Sequence, residues 1–145
     1  MPFYTPDNYQ LVESVGFALN KARNLLSAEL DAGLRELGVK AHHIGILMTL
    51  KRGTCTTPAS LARHLGTDTG LMTRMLDRLE TRGLLRRSRD TGDRRVVNLV
   101  LTEAGCAAAI RIAEIAPGVL NARLHAFSAA EFDDLRRLLA KFLND

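Results

Sequence analysis

The sequence is poor in the residues that build covalent or metal-bound frameworks. Its 145 residues include two cysteines, four histidines and no tryptophan. Neither Cys55 nor Cys106 belongs to a CxxC pair, so a disulfide framework is excluded and each is expected to pack as a small, partly buried residue. The histidines show no spacing typical of metal ligands. We therefore predict no metal site and no cofactor.

Motifs of the common enzyme classes are also missing. The chain has no GxGxxG, no phosphate-binding loop and no GxSxG, and no convergent group of titratable residues favours a small enzyme on a helical scaffold. We therefore predict no catalytic residues and no enzymatic activity. No apolar run is long enough to cross a bilayer, and the opening "MPFYTPDNYQ" lacks the regions of a signal peptide. We expect a cytoplasmic protein with no membrane partner.

What the sequence does contain is one strongly basic segment rich in arginine. Hydrophobic residues make up 46% and charged residues 25% of the chain, as in an ordinary globular domain. The net charge is +4. The segment 63–95 holds nine bases, all arginine, against five acids, so it carries the whole excess. The planar fork of arginine suits phosphates and guanine edges, which indicates nucleic acid as the partner.

The first 38 residues have the pattern of a long amphipathic helix. Apolar residues recur at helical spacing from Leu11 to Leu37. Asp7 or Asn8 can cap the start of this helix, and Gly38 follows its end. Such a helix is longer than a small core requires. Part of its apolar stripe is therefore expected to pack on a second chain.

The middle of the sequence predicts a helix-turn-helix. One helix is expected over 40–51. A shorter one follows, with Thr57 as its cap, Pro58 in its first position and Gly66 at its end. The next helix can begin at Asp68 and end at Gly83, which suits a left-handed C-terminal cap. Two helices joined by a tight turn form a helix-turn-helix candidate.

A basic β-hairpin is predicted directly after it. "LLRRSR" and "RRVVNLVLT" have the pattern of strands, and Asp90–Asp93 form the turn, where Gly92 is expected to supply a positive φ. A hairpin in this position makes the arrangement a winged helix, with the arginine-rich tip as its wing. The fold predicted is mainly α with a small β-hairpin wing.

Two more helices should complete the chain. Thr102 can cap the first, with Glu103 in its first turn. We expect Pro117-Gly118 to kink or interrupt that helix. "SAAE", from Ser128 to Glu131, is a capping box that opens the last helix.

This order of elements resembles the MarR family of bacterial transcriptional regulators over essentially the whole chain. "DTGLMTRMLDRLETRGLLRR" is similar to the family's recognition helix. "DRRVVNLVLT" fits its wing signature D-x-R-x(5)-L-T at Asp93, Arg95, Leu101 and Thr102. The resemblance implies a homodimer that forms one MarR-like domain per chain, 1–145. Residues 1–38 and 103–145 would supply the dimerisation helices, and residues 39–102 the DNA-binding lobe.

The resemblance also implies which residues contact double-stranded DNA. The helix from Thr69 to Arg82 would enter the major groove and Arg95 the minor groove. Asp93 would hold the Arg95 guanidinium by a charge-assisted bond, and Arg94 would contact a phosphate. The DNA-binding residues expected are Asp68, Thr69, Thr73, Arg74, Arg78, Asp93, Arg94 and Arg95. Many members carry Ser or Thr near position 71, where this chain has Gly70-Leu71.

A small-molecule effector is a further implication of the resemblance. Family members often bind anionic aromatic compounds between the first two helices and the DNA-binding lobe, so Arg23 and His43 could anchor a carboxylate. Alternatively, His43 is a helix-terminal histidine bonded to backbone, and Arg23 lies on the surface. The function expected is a dimeric repressor released from a pseudo-palindromic operator by a ligand. The alternatives are a winged-helix protein-interaction module, or a metal- or redox-responsive regulator of the same fold.

Overall fold

A computed structural model describes all 145 residues as six α-helices and one two-stranded antiparallel hairpin. The predicted fold, mainly α with a β-hairpin wing, is confirmed. The elements are α1 (Val15–Gly33), α2 (Ala41–Arg52), α3 (Pro58–Leu65), α4 (Thr69–Thr81), β1 (Leu85–Arg89), β2 (Val97–Leu101), α5 (Glu103–Leu124) and α6 (Ala129–Leu143). Short 3-10 turns, Leu11–Glu13 and Arg35–Leu37, flank α1. No helix combines the length and the apolar character needed to span a membrane.

The first helix is shorter than its apolar pattern predicts. It begins at Val15, and its cap is Ser14, whose hydroxyl accepts a hydrogen bond from the Phe17 amide at 3.1 Å. The cap assigned to Asp7 or Asn8 is therefore wrong. Asn8 instead closes a turn of its own by accepting from the Thr5 amide at 2.7 Å. Apolar periodicity continues through residues that are not helical, because it reports only which side chains share a face.

The helix-turn-helix has the boundaries that its capping residues predict. Thr57 and Ser60 form a reciprocal cap at the start of α3, and Asp68 Oδ1 accepts from the Leu71 amide at 2.9 Å at the start of α4. Gly66 and Gly83 both have positive φ, which glycine adopts without strain. Side chains from α2, α3, α4 and both strands meet in one core, where Ile46, Leu47, Leu61, Met72, Leu76, Leu79 and Leu85 are almost completely buried.

The hairpin is pinned at its base by α5. Leu85 pairs with Leu101 and Arg89 with Val97. The Thr102 hydroxyl donates to the Gly83 carbonyl, and the Thr102 amide donates to the Leu84 carbonyl at 3.1 Å. At the start of α5, a Cβ on Gly105 would lie 1.8 Å from the Leu84 carbonyl oxygen. Only glycine allows this close approach, which joins the wing to the long helix.

Pro117 does not interrupt α5. The helix runs from Glu103 to Leu124 with Pro117 inside it, although proline removes one backbone hydrogen bond and crowds the preceding turn. Ile115 and Val119, on either side of the proline, both lie beside Gly33 of α1, with methyl groups 3.5 and 3.2 Å from the position of a Gly33 Cβ. The residues on both sides of the proline therefore pack on α1.

The two ends of the chain contrast with this core. α6 has no buried residue, although Phe132, Leu138, Leu139, Phe142 and Leu143 lie along it. An apolar groove of about 470 Å³ runs between α1, α5 and α6 and is lined by Leu25, Leu26, Leu120, Leu124, Phe127, Phe132, Leu135 and Leu139. Helices with this much uncovered apolar surface need further packing, since most helix stability in proteins comes from a buried apolar face.

Candidate nucleic-acid interface

The helix α4 has one buried face and one polar face. Met72, Met75, Leu76 and Leu79 point into the core. The opposite face is exposed and carries Thr69, Gly70, Thr73, Arg74, Asp77, Arg78 and Thr81. A helix with one polar, partly basic face free of core contacts has the shape and chemistry to enter a DNA major groove.

The capping residues of α4 have local partners as well as exposed positions. Asp68 holds the first turn through the Leu71 amide, so its cap role is established by geometry. The Thr73 hydroxyl donates to the Thr69 carbonyl at 2.9 Å. That bond fixes the hydroxyl but leaves its oxygen able to accept. The guanidinium of Arg74 lies near Gly70, with Nη1 3.7 Å from the position of a Gly70 Cβ.

Arg74 and Arg78 have no acidic partner within the chain. By helical spacing alone, one of them could pair with Asp77 or Glu80 along the helix. Instead, both carboxylates are bound by Arg87 of β1, whose Nη2 lies 2.8 Å from Asp77 Oδ1 and Nη1 2.7 Å from Glu80 Oε1. Sequence reasoning missed this arrangement because the pairing residues belong to different elements. As a result, two unneutralised arginines remain on the outer face of α4.

The wing turn is organised by side-chain carboxylates and not by glycine flexibility. Asp90 Oδ1 accepts from the amides of Gly92 at 2.7 Å and Asp93 at 3.2 Å, and its second oxygen accepts from Asn98 at 3.2 Å. These bonds stabilise the carboxylate and hold the pKa of Asp90 below its usual value. Gly92 is not among the glycines with positive φ, so the expectation of a left-handed glycine there is wrong.

Arg94 and Arg95 lie in the turn and not in the second strand, which begins at Val97. The Val96 amide donates to the Asp93 carbonyl at 3.0 Å, and Asp93 Oδ1 accepts from the Arg95 backbone amide at 2.9 Å. The predicted bond between Asp93 and the Arg95 guanidinium is absent. Asp93 shapes the backbone of the tip, and both guanidinium groups extend outward without an internal partner.

Arg89 adds one more restraint to the tip. Its Nη1 donates to the Arg94 carbonyl at 2.8 Å across the hairpin. Arg89 therefore stabilises the tip of the hairpin, whereas the side chains of Arg94 and Arg95 are exposed to solvent. The structure brings the wing and α4 to the same lobe of the molecule, with β1 bonded directly to α4 through Arg87.

The proposed ligand anchors, Arg23 and His43, are not brought together. His43 lies at the start of α2, where Nδ1 accepts from the Lys40 amide at 3.2 Å, as expected for a helix-terminal histidine bonded to backbone. Asp31 of α1 contacts this same helix start through the Ala41 amide at 2.6 Å. Arg23 is exposed and lies eight residues earlier on α1, about 12 Å along the helix axis.

His43 is also unsuited to bind an anion by charge. Its side chain is buried and Nε2 has no hydrogen-bond partner. Burial lowers the pKa of His43 from 6.5 to about 4, and the nearby charges of His42, Arg78 and Arg82 act in the same direction. His43 is therefore neutral at physiological pH. A separate cleft of about 450 Å³ lies close by, lined by Arg35, Lys40 and Arg82 together with Asp31.

The side chains that could hold a metal ion or form a disulfide are not clustered. No group of three or more His, Cys, Asp and Glu side chains is placed to hold a metal ion. Cys55 and Cys106 are both free and half-buried, as expected for small packing residues.

Comparisons with known proteins agree with this geometry. A family model described as "MarR family" matches residues 41–97. The transcriptional regulator PecS of Dickeya dadantii is 35% identical over 128 residues, which cover 85% of this chain and 76% of the relative.

Two solved structures with bound DNA also resemble the chain. The operator-DNA complex of a MarR variant from Escherichia coli superposes with a TM-score of 0.83 at 27% identity, over 91% of this chain and 95% of the other. The transcriptional repressor CouR, bound to a 23-mer DNA duplex, superposes with a TM-score of 0.81 at 27% identity, over 92% and 94% of the two chains.

Proposed function

The chain belongs to the MarR family of transcriptional regulators, and from that premise we propose that it is a dimeric repressor that binds a pseudo-palindromic operator. One observation carries the proposal. The exposed face of α4 and the wing tip present arginines that have no partner within the chain, although carboxylates lie nearby. Unneutralised arginines on two adjacent projecting elements match the phosphates and base edges of duplex DNA.

In this proposal α4 enters the major groove. Arg74 and Arg78 supply the charged contacts and Thr69 and Thr73 the neutral ones, while Asp68 holds the first turn. Leu71 is exposed at the start of the helix, where it can contact a thymine methyl group. The operator sequence is therefore expected to differ from those of relatives with a polar residue at this point.

The wing would reach the neighbouring minor groove. Arg95 is proposed to insert there, because a narrow groove over A·T base pairs concentrates negative potential that attracts arginine. Arg94 is proposed to bind a phosphate on the rim of the groove. Asp93 serves indirectly, since its carboxylate holds the Arg95 backbone amide and so orients the turn.

Dimerisation would use the two ends of the chain, 1–38 and 103–145, with the DNA-binding lobe formed by 39–102. The uncovered apolar face of α6 and the groove beside it support this division. A second copy would bury these surfaces. It would also place two copies of α4 about one helical turn of DNA apart, as a palindromic site requires.

Release by a small molecule would use a cleft beside the start of α2. We favour the cleft lined by Arg35, Lys40 and Arg82 over Arg23 and His43, because His43 is neutral and distant from Arg23. An anionic compound there would touch both the end of α1 and the end of α4. It would lower DNA affinity only if it bound the DNA-free form more tightly.

We further infer that the protein works in the cytoplasm, where the chromosome is accessible, and that it is not an enzyme. A winged-helix module for protein binding is the alternative. A neutral or acidic wing would favour that alternative, whereas this wing presents two free arginines at its tip.

Binding to DNA selected from a randomised duplex pool tests the proposal. If each subunit makes about four or five phosphate contacts, the slope of log K against log salt should be about −7 to −9 for the dimer. Fluorescence anisotropy over a salt series measures this slope. A slope near zero, or no enrichment of any sequence, would remove duplex DNA as the main partner.

A further inference from the structure

Arg87 differs from the other arginines of the wing because its side chain connects the wing to α4. Its guanidinium bonds two carboxylates of α4, Asp77 and Glu80, at 2.8 and 2.7 Å. Its backbone amide also donates to Glu80 Oε2 at 3.0 Å. Three hydrogen bonds thus join β1 to the C-terminal half of α4, and the Arg87 side chain is only 26% exposed.

From this geometry we propose that Arg87 is a positioning residue that clamps the wing to the recognition helix and neutralises the two α4 carboxylates. It does not contact DNA itself. The inference rests on the proposed DNA-binding function, and it adds a residue that the wing signature does not include. We call Arg87, Asp77 and Glu80 the wing clamp.

The charges explain why α4 needs such a partner. Asp77 and Glu80 are three residues apart, so they share one face of the helix. The side chain of Asp77 is 61% exposed, and in the sequence it lies between the two unpaired arginines, Arg74 and Arg78. Without Arg87, both carboxylates would face the DNA phosphates or draw Arg74 and Arg78 into pairs along the helix. With Arg87 in place, the acids are bound and those arginines remain available.

The clamp also sets the direction of the wing. Arg87 pairs with Leu99 in the hairpin register, midway along both strands. The hairpin base is fixed at Thr102 and Gly105, and the clamp supplies a second attachment closer to the tip. Two attachments fix the angle between the wing and α4, and that angle determines whether a recognition helix and a wing can occupy adjacent grooves together.

Arg86 supplies a matched control. It is the preceding residue of the same strand, it is exposed, and it has no ion pair or side-chain hydrogen bond. Alternation along the strand directs it away from α4. Arg86→Met and Arg87→Met therefore remove the same charge from the same strand, but only the second breaks the clamp.

The experiment is a mutant cycle on DNA affinity. Arg87→Met and Arg86→Met are each made in the wild-type chain and in Asp77→Asn/Glu80→Gln, and anisotropy is measured at fixed salt on a duplex selected by the wild type. We expect Arg87→Met to weaken binding about 5- to 20-fold in the wild-type background and less than about threefold in the double variant, as for coupled residues of one network. Arg86→Met should cost the same factor in both backgrounds.

Other outcomes overturn the inference. An equal loss of DNA affinity on Arg87→Met in both backgrounds would indicate that Arg87 contacts a phosphate directly. No loss of affinity in either background would show that Arg87 has no role in DNA binding. A second measurement is independent of DNA. Amide hydrogen exchange of residues 85–101 should be faster in Arg87→Met and unchanged in Arg86→Met. Unchanged exchange in Arg87→Met would contradict the wing clamp. This result would hold even if no duplex were bound and the proposed function were wrong.

Discussion

The lobe formed by residues 39–102 and the two ends of the chain differ in how completely they bury their apolar side chains. Thirteen of the sixteen residues in the hydrophobic core belong to the lobe. Sixteen of the eighteen exposed large hydrophobic residues belong to the ends. The lobe therefore completes its packing within one chain, whereas the ends leave apolar surface that the proposed second copy would cover. In the proposed function, the same distinction separates DNA binding, through polar groups of the lobe, from dimerisation through the ends.

Loss of α6 should have the largest effect, because it removes one of the helices that form the proposed dimer surface. Deleting Ser128–Asp145 exposes the apolar groove on α1 and α5, so we expect aggregation or insoluble protein. Size-exclusion chromatography and the soluble fraction after expression measure the outcome. A soluble, monodisperse monomer would count against dimerisation through the ends of the chain.

A matched pair of single substitutions sharpens the same contrast. Leu139 of α6 and Val100 of β2 are equally exposed, at 37% each. Leu139→Asp should shift the dimer toward monomer or aggregate, while Val100→Asp should leave the oligomeric state unchanged in light scattering. Similar behaviour of the two variants would mean that exposed apolar residues at the ends have no special role.

Arg95→Ala should weaken operator binding by about 1–3 kcal/mol, the range of one well-placed groove contact. Arg95→Lys should restore little, because a hydrated ammonium fits a narrow groove poorly. Asp93→Ala should cost less than Arg95→Ala, since Asp93 bonds only the backbone of the tip. Affinity is measured by anisotropy at fixed salt. All three variants should remain folded dimers by circular dichroism and sizing, and wild-type affinity of Arg95→Ala would refute the wing as a DNA reader.

Acid should destabilise the lobe formed by residues 39–102, because His43 is buried there in its neutral form. Its pKa is about 4 in the folded chain against 6.5 when exposed. As pH falls from 6.5 toward 4, the unfolded chain therefore binds a proton that the folded chain does not, and stability is lost. Between pH 6.5 and 5 this loss is about 1.5 kcal/mol.

His43→Gln isolates that contribution. Glutamine can still accept from the Lys40 amide but does not titrate, so its free energy of unfolding should vary less over this pH range in urea titrations. His125→Gln, at an exposed histidine, is the matched control and should follow the wild type. Equal pH dependence in His43→Gln and wild type would contradict a buried neutral His43.

The smallest expected effect tests the joint between the two regions. Asp31 of α1 caps α2 by accepting from the Ala41 amide at 2.6 Å, while Lys40 offers only a distant ammonium at 3.9 Å. Asp31→Ala should lower the free energy of unfolding by about 1 kcal/mol, as for loss of a helix cap. Asp31→Asn should restore most of it, and Glu36→Ala, at an unpaired exposed acid, should have no effect. A stable Asp31→Ala would mean that this joint is dispensable.

Predictions from the sequence were best where one short segment contains the whole interaction. Four helices are each preceded by a residue whose side chain caps the amide three residues later, and these capping residues are Thr57, Asp68, Thr102 and Ser128. Pro58 marks the same start as Thr57 by its place in the first turn. The arginine bias of 63–95 and the wing signature likewise pointed to DNA and to the family without any knowledge of contacts. Composition and capping patterns are properties of neighbouring residues, so the order of residues predicts them. The φ of Gly92 and the contact between Asp93 and Arg95 depend on the whole turn, and both were predicted wrongly.

The sequence alone determined the element order, the caps of α3 to α6, the basic hairpin and the apolar stripes at both ends. The tertiary structure decided which charges remain free. Asp77 and Glu80 pair with Arg87 and not with Arg74 or Arg78. Asp31 caps a helix other than its own, and α5 continues through Pro117 with residues on both sides of it packed on α1. These contacts join residues 7 to 86 positions apart in the chain. Periodicity and capping rules describe neighbours within about one helical turn, so only the folded chain determines such pairs.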